Sequence, residues 1–289
     1  MGIAVLVLVA LALVLTAAGV LNGRSPDTFV KPSADAALTT LRNGLPLSGL
    51  LRSPIGTSSR VHEAEQRLVA ACMSARGFQY VPAPTASGDS GTSPALFGIE
   101  TLDAPSGDMT REPLPAERQR GEDFARALYG DPDRMISARN KMIRVTRPAT
   151  GCLAEAQTRL LGKGGRARDL ELRLQLDQGE RDALQELEED RAFRITNTRW
   201  KTCMARAGVT AKDPRQLAAD LPVTADPATN STARTDLTCK KRTGYLQRAY
   251  TRLAAIQQRW LDNNREPAAE WQALRLREDR AARSILKPL

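Results

Sequence analysis

From Ile3 to Leu21 the chain carries no charged residue and is almost entirely Val, Leu and Ala. A spanning helix needs about 20 apolar residues, and the apolar core of a secretory leader about 7–15. The run lies at the boundary between them, and Thr16-Ala17-Ala18 supplies small residues for cleavage after Ala18. Residues 1–22 are therefore expected to be a signal peptide or a membrane anchor. The flanking charges, Arg24 and Lys31, lie on the C-terminal side; by the positive-inside rule alone they would leave the rest of the chain in the cytoplasm. Residues 23–57 scatter Pro, Gly and Ser and read as a linker, with a short helix around Ala34–Arg42.

Beyond residue 58 the apolar positions recur at helical spacing. From Ser59 to Arg76, Val61, Leu68, Ala71 and Cys72 share one face, and Gly77 ends the helix. Residues 81–115 read as a long loop, either mobile or tied down. Pro115 suits the first turn of a helix to about Tyr129, and a short helix is expected from Pro148 to Leu161. Residues 166–207 are charged, leucine-rich and free of proline, and predict one long helix with a possible break at Gly179. Gly208 ends it, and Asp213-Pro214-Arg215-Gln216 is a helix start of the capping-box type. A second long helix is expected from Ser231 to Asn263, with a stripe of Leu246, Ala249, Tyr250, Leu253, Ile256 and Trp260. Pro267 opens a last helix carrying Trp271, Leu274 and Ile285. Two long helices joined by a short connection pack antiparallel. The expected fold is all-α: an apolar leader, an irregular helical region with a long loop, and an antiparallel long-helix hairpin.

The four cysteines divide this pattern in two. Cys72-Met73-Ser74-Ala75-Arg76-Gly77 is echoed by Cys203-Met204-Ala205-Arg206-Ala207-Gly208. Each places Cys-Met in the last turn of a helix, a glycine five residues after the cysteine, then a loop and a helix bearing one more cysteine. Four cysteines allow three pairings, and the echo favours Cys72–Cys152 and Cys203–Cys239. Closing loops of these lengths stabilises by about 4 kcal/mol each in a chain-entropy account. The domain reading follows: 58–165 as a first Cys-Met helical unit and 166–289 as a second.

Several of these stretches carry a resemblance. Ala71-Cys72-Met73 through Gly77-Phe78-Gln79-Tyr80-Val81-Pro82, Leu96-Phe97-Gly98-Ile99, Ala127-Leu128-Tyr129-Gly130 and Gly151-Cys152-Leu153-Ala154-Glu155-Ala156 resemble a group of uncharacterised actinobacterial secreted or lipid-anchored proteins. Trp200-Lys201-Thr202-Cys203-Met204 to Trp260 is also similar to it. The resemblance implies export and paired cysteines and supplies no activity. The chain lacks the cysteine after its leader that the lipid-anchored members use.

Composition narrows the chemistry. Aromatics make up 4% of the chain, so the core must be built mainly from aliphatic residues, and sheet-forming runs are missing. The net charge is +9, which favours anionic partners. Lys240, Lys241, Arg242 and Arg248 mark a possible surface for one. The chain has one histidine, His62, in Val61-His62-Glu63-Ala64-Glu65, and reads as an ordinary surface or half-buried residue there. No GxSxG or HExxH motif occurs. Gly162-Lys163-Gly164-Gly165-Arg166 lacks the Lys-Ser/Thr pair of a phosphate-binding loop and reads as a helix connection. Glu188-Glu189-Asp190 reads as a solvated charged face. No catalytic, cofactor-binding or metal-binding residues are expected, and nucleic acid is not expected as a partner. The expected role is a non-enzymatic, extracytoplasmic cell-envelope protein, secreted or held at the outer face of the cytoplasmic membrane. It would bind an envelope protein or an anionic polymer, and would touch the membrane through its N-terminal segment if that is uncleaved. The alternatives are an envelope hydrolase working with carboxylates alone and a cytoplasmic, membrane-tethered helical adaptor.

Overall fold

The computed structural model describes residues 34–52, 59–82, 95–102, 121–222 and 225–287. The apolar leader, the rest of the linker before residue 34 and after residue 52, most of the 81–115 loop and Pro115 lie outside the described residues. Among the described residues no helix is long and apolar enough to cross a membrane. The chain is mostly helical: α1 Ala34–Asn43, α2 Pro46–Leu51, α3 Ser59–Ala75, α4 Gly121–Tyr129, α5 Cys152–Leu161, α6 Gly165–Glu189, α7 Arg191–Arg206, α8 Pro214–Asp220, α9 Ser231–Thr243, α10 Tyr245–Asn263 and α11 Arg265–Leu286.

Both cysteine pairs are bonded, Cys72 to Cys152 and Cys203 to Cys239, with Cα–Cα distances of 5.6 Å in each. The echo around them extends to the backbone. Phe78 N–H donates to Met73 O (2.9 Å) and Gly77 N–H to Ser74 O (2.9 Å); Val209 N–H donates to Met204 O (3.0 Å) and Gly208 N–H to Ala205 O (3.0 Å). Both are the 6→1 and 5→2 bonds of a Schellman motif, which needs a left-handed residue that glycine adopts without strain. Gly77 and Gly208 sit at φ 81° and 77°. Met73 and Met204 are fully buried, and Phe78 and Val209 pack beside them in separate clusters. Ala71, expected on the buried face of α3, is exposed; Ala64, Val69 and Met73 take that face instead.

The long-helix hairpin is present in a broken form. Arg259 pairs with Glu186 and Arg252 with Asp190, while Trp260 lies against Gly179, so α6 and α10 run antiparallel. α11 carries the same sense onward, placing Glu270 against Arg168 and Leu274 against Gly165. Neither arm is one continuous helix. The break after α6 falls at Asp190, not Gly179: Asp190 is extended and caps α7 by accepting from Phe193 N–H at 2.9 Å. Gly179 is helical, and it must be glycine because the Trp260 indole occupies the place a side chain would take, 2.6 Å from an ideal Cβ. The second arm breaks at Gly244, a left-handed residue at φ 62°.

Three further expectations are corrected. Residues 34–52, assigned to the linker, are folded into the core through Leu38, Leu45, Leu47 and Leu51, because α1 and α2 are amphipathic and meet α10 and α6. Pro148, expected to open a helix, instead ends a strand, β2 Arg144–Pro148, paired antiparallel with β1 Met135–Arg139. Asn140 closes that turn by accepting from Met142 and Ile143 N–H at 2.9 and 3.0 Å. The helix that follows begins only at Cys152. Chain order also does not separate the two cysteine units, since α11 packs on α3 and α5 at the far end from α7 and α9.

Candidate functional site: a basic face on two stapled helices

Helix α7 carries Arg191, Arg194, Arg199, Lys201 and Arg206 and no acidic residue. Its apolar side is buried through Phe193, Trp200, Cys203 and Met204, so the cations are left outside, and all five are exposed. Helix α9 lies alongside, stapled by Cys203–Cys239. It holds four cations and one carboxylate, Asp236, which is fully buried. Five cations on α7 and a surplus of three on α9 make eight of the nine positive charges by which bases exceed acids in the whole chain.

Exposed cations without an ion pair also occur elsewhere among the described residues, Arg126, Arg134, Arg159, Lys163, Arg181 and Arg280 among them, but on α7 and α9 eight stand on two neighbouring helices. Arg60, Arg76, Arg168, Arg215, Arg252, Arg259, Arg275 and Arg283 each meet a carboxylate. Among the described residues, Arg191, Arg194, Arg199, Lys201, Arg206, Arg234, Lys241 and Arg242 meet none; the ion pair formed on these two helices is internal, between Lys240 and Asp236. Arg206, Arg234 and Arg242 surround a shallow basin of about 470 Å³ over the disulfide, with Ser231, Thr235 and Thr238 between them and no carboxylate in its lining. The first turn of α9 forms part of the wall, and its backbone dipole adds positive potential.

Of the four residues proposed from sequence, Lys241, Arg242 and Arg248 are exposed. Lys240 is a correction: it is 2% exposed. Its Nζ lies 2.6 Å from Asp236 Oδ2 and donates to Phe97 O at 2.8 Å and Ile99 O at 2.5 Å. Asp236 also accepts from Trp200 Nε1 at 2.8 Å. Burial pushes Asp236 up and Lys240 down, and the attraction between them opposes both shifts. Lys240 therefore fastens residues 95–102 to the core. Glu100 completes the fastening, accepting from Arg42 Nε (2.6 Å), Tyr250 Oη (2.8 Å) and Phe97 N–H (2.8 Å). The cations missed from sequence are the five of α7, Arg206 at the basin among them, and Arg234 of α9. The available signal was residues 191–212, six cations without one carboxylate.

No known protein-family model, curated protein or solved structure matches the chain.

The residues read as inert fall as follows. His62 is half-buried on α3. Gly162 to Gly164 join α5 to α6, with Gly165 already helical. Glu188 pairs with Arg215 and Asp190 with Arg252. Among the described residues no three His, Cys, Asp or Glu side chains are grouped to hold a metal ion. Three carboxylates, Glu65, Asp169 and Glu278, line one cavity of about 190 Å³ between α3, α5, α6, the β-hairpin and α11. Burial, with Asp169 and Glu65 adding to it and Arg275 opposing, pushes Glu278 up to about 7.

Proposed function

We propose that this is a non-enzymatic, extracytoplasmic protein that holds an anionic polymer of the cell envelope on the α7–α9 face. The observation that carries the reading is the set of eight exposed cations on two stapled helices, none of them paired within the described chain. Paired surface cations gain little from a further anion, whereas unpaired ones sum to a field that draws polyanions and strengthens as salt falls. The two disulfides are consistent with an oxidising compartment, and the apolar leader supplies a route to one, either cleaved or kept as an anchor on the outer face of the membrane.

The test is binding of the full-length protein to immobilised polyphosphate across a salt series. The expected result is affinity that falls steeply with salt, and a loss of about tenfold or more in R206E/R234E/R242E. Binding that is indifferent to salt and to those charge reversals would overturn the reading.

The carboxylate-hydrolase alternative has one observation in its favour, Glu65, Asp169 and Glu278 lining one cavity with one raised pKa. Against it, Arg147, Arg166 and Arg275 line the same cavity, one cation for each carboxylate. A cavity of about 190 Å³ also leaves no room for a polymer chain.

A further inference from the structure

The β-hairpin carries an apolar tip beyond a pair of facing arginines. Its inner side packs on α6 through Ala138 and Val145, which meet Leu170 and Leu174. Side chains alternate along a strand, so the neighbouring positions face outward. There the register sets Arg139 directly opposite Arg144 beside the turn, with Met135 opposite Pro148 at the base. In the turn itself Met142 is 71% exposed and Ile143 48%. The turn is anchored. Asn140 Oδ1 accepts from the Met142 and Ile143 N–H groups at 2.9 and 3.0 Å, and Asn140 Nδ2 donates to Leu174 O of α6 at 3.3 Å. The two apolar side chains are therefore held out on a backbone fixed to the body of the molecule.

Residues 134–154 hold five cations and no carboxylate. Lys141 and Arg147 reach acids of α6, Asp182 at 3.5 Å and Asp169 at 3.8 Å. Among the described residues Arg134, Arg139 and Arg144 form no ion pair, and all three are exposed. Arg144 donates to Ser137 Oγ at 3.0 Å, which leaves its charge unopposed. Like charges directly opposite on a sheet are destabilising. The hairpin thus accepts a repulsion at Arg139–Arg144 and gains no burial from its tip. An anionic surface with an apolar interior relieves the first and supplies the second. We propose that the hairpin tip docks on an anionic phospholipid bilayer, Met142 and Ile143 entering the acyl boundary and Arg139 and Arg144 resting among the lipid phosphates. Interfacial membrane segments combine these same two contributions, apolar burial and attraction of cations to anionic lipid. A soluble polyanion would engage the arginines and leave the tip in water, and an apolar protein surface would leave the arginines unopposed. The contact is separate from the α7–α9 face and from any that the leader makes.

The experiment is peroxide oxidation of the methionines, read by peptide mass spectrometry, in the full-length protein on vesicles of phosphatidylglycerol or of phosphatidylcholine at low salt. A cation near an anionic bilayer strengthens association about fivefold. Met142 is therefore expected to oxidise at least about fivefold more slowly on phosphatidylglycerol than on phosphatidylcholine. Met135 lies about 13 Å from Arg139 along the strand and is expected to keep its rate. Met73 and Met204 are fully buried; their staying reduced reports an intact fold in every sample. R139E/R144E is expected to abolish the difference at Met142. Equal Met142 rates on the two lipids would overturn the proposal, as would equal slowing of Met135 and Met142. So would slowing that survives R139E/R144E while Met73 and Met204 stay reduced. Polyphosphate that slows Met142 on phosphatidylcholine vesicles would make the arginine pair a polyanion site instead, and would also overturn it.

Discussion

Burying Lys240 beside Asp236 takes two ionic groups out of water, and the pair holds only because each has its partner and the remaining N–H groups of Lys240 reach Phe97 O and Ile99 O. Removing one member leaves the other uncompensated, at about 3–5 kcal/mol. Lys240→Met and Asp236→Leu should each lower stability by that order in denaturant titrations. The double variant should lose far less than the two singles together, a coupling a double-mutant cycle reads directly. Glu278 gives a pH dependence of opposite character to a salt-bridged carboxylate. Its folded pKa of about 7 lies above that of the unfolded chain, so the folded state keeps a proton the unfolded state has released. This group's contribution is full below about pH 4.5 and falls as pH rises to about 7. Glu278→Gln should flatten thermal stability over that window and raise it at pH 8. At this scale the sequence was a poor guide. Lys240, Lys241 and Arg242 are three cations in a row, and only the turn of α9 decides that the first points inward and the other two out.

Helices were legible where a single apolar stripe repeats, as in α3 and α10, and ends were legible where a Schellman glycine marks them. Helix α6 shows why breaks were harder to place. Leu170, Leu172, Leu174 and Leu176 are all buried, an alternation that suits a strand as well as a helix. It resolves into two interleaved i,i+4 ladders: Leu170 and Leu174 meet the β-hairpin, and Leu172 and Leu176 meet α2 and α11. A helix enclosed on two sides has no stripe to read, so the break at Asp190 and the tolerance of Gly179 could not be told apart. The hairpin itself went unseen because five-residue strands with Pro148 at the end give no run long enough to register. The glycine motifs were better indicators. Gly130 and Gly151, at φ 95° and 94°, pass backbone against backbone, and an ideal Cβ on Gly151 would sit 2.4 Å from Gly130 N. Gly151→Ala should cost at least about 2 kcal/mol, read as a lower denaturation midpoint, whereas alanine in an open helix interior would gain.

Across the whole molecule, hydrophobic clusters run the length of the α6–α7 and α10–α11 arms, with one disulfide at each end. One cluster gathers Trp200, Tyr245, Tyr250, Phe97 and Phe193 beside Cys203–Cys239. Another gathers Leu68, Val69, Met73, Phe124 and Leu160 beside Cys72–Cys152. The sequence disclosed this pairing because one helix-end pattern, Cys-Met followed by Gly five residues after the Cys, occurs twice. It did not disclose that α11 returns to the first cluster, since a contact across some 200 residues leaves no local pattern. The basic face was half legible: net charge announced an anionic partner, but its position depended on which helix buries its only acid. A role in the envelope requires that the protein reach an oxidising compartment and be stapled there in two places. The most direct measurement is a non-reducing peptide map, with N-terminal sequencing, of the protein recovered from its native cells. Linkage of Cys72 to Cys152 and Cys203 to Cys239 is the expected result, and a start at Gly19 would show release rather than anchoring. Four free thiols would contradict the account, since the chain would then face a reducing compartment and its basic helices could not serve the envelope.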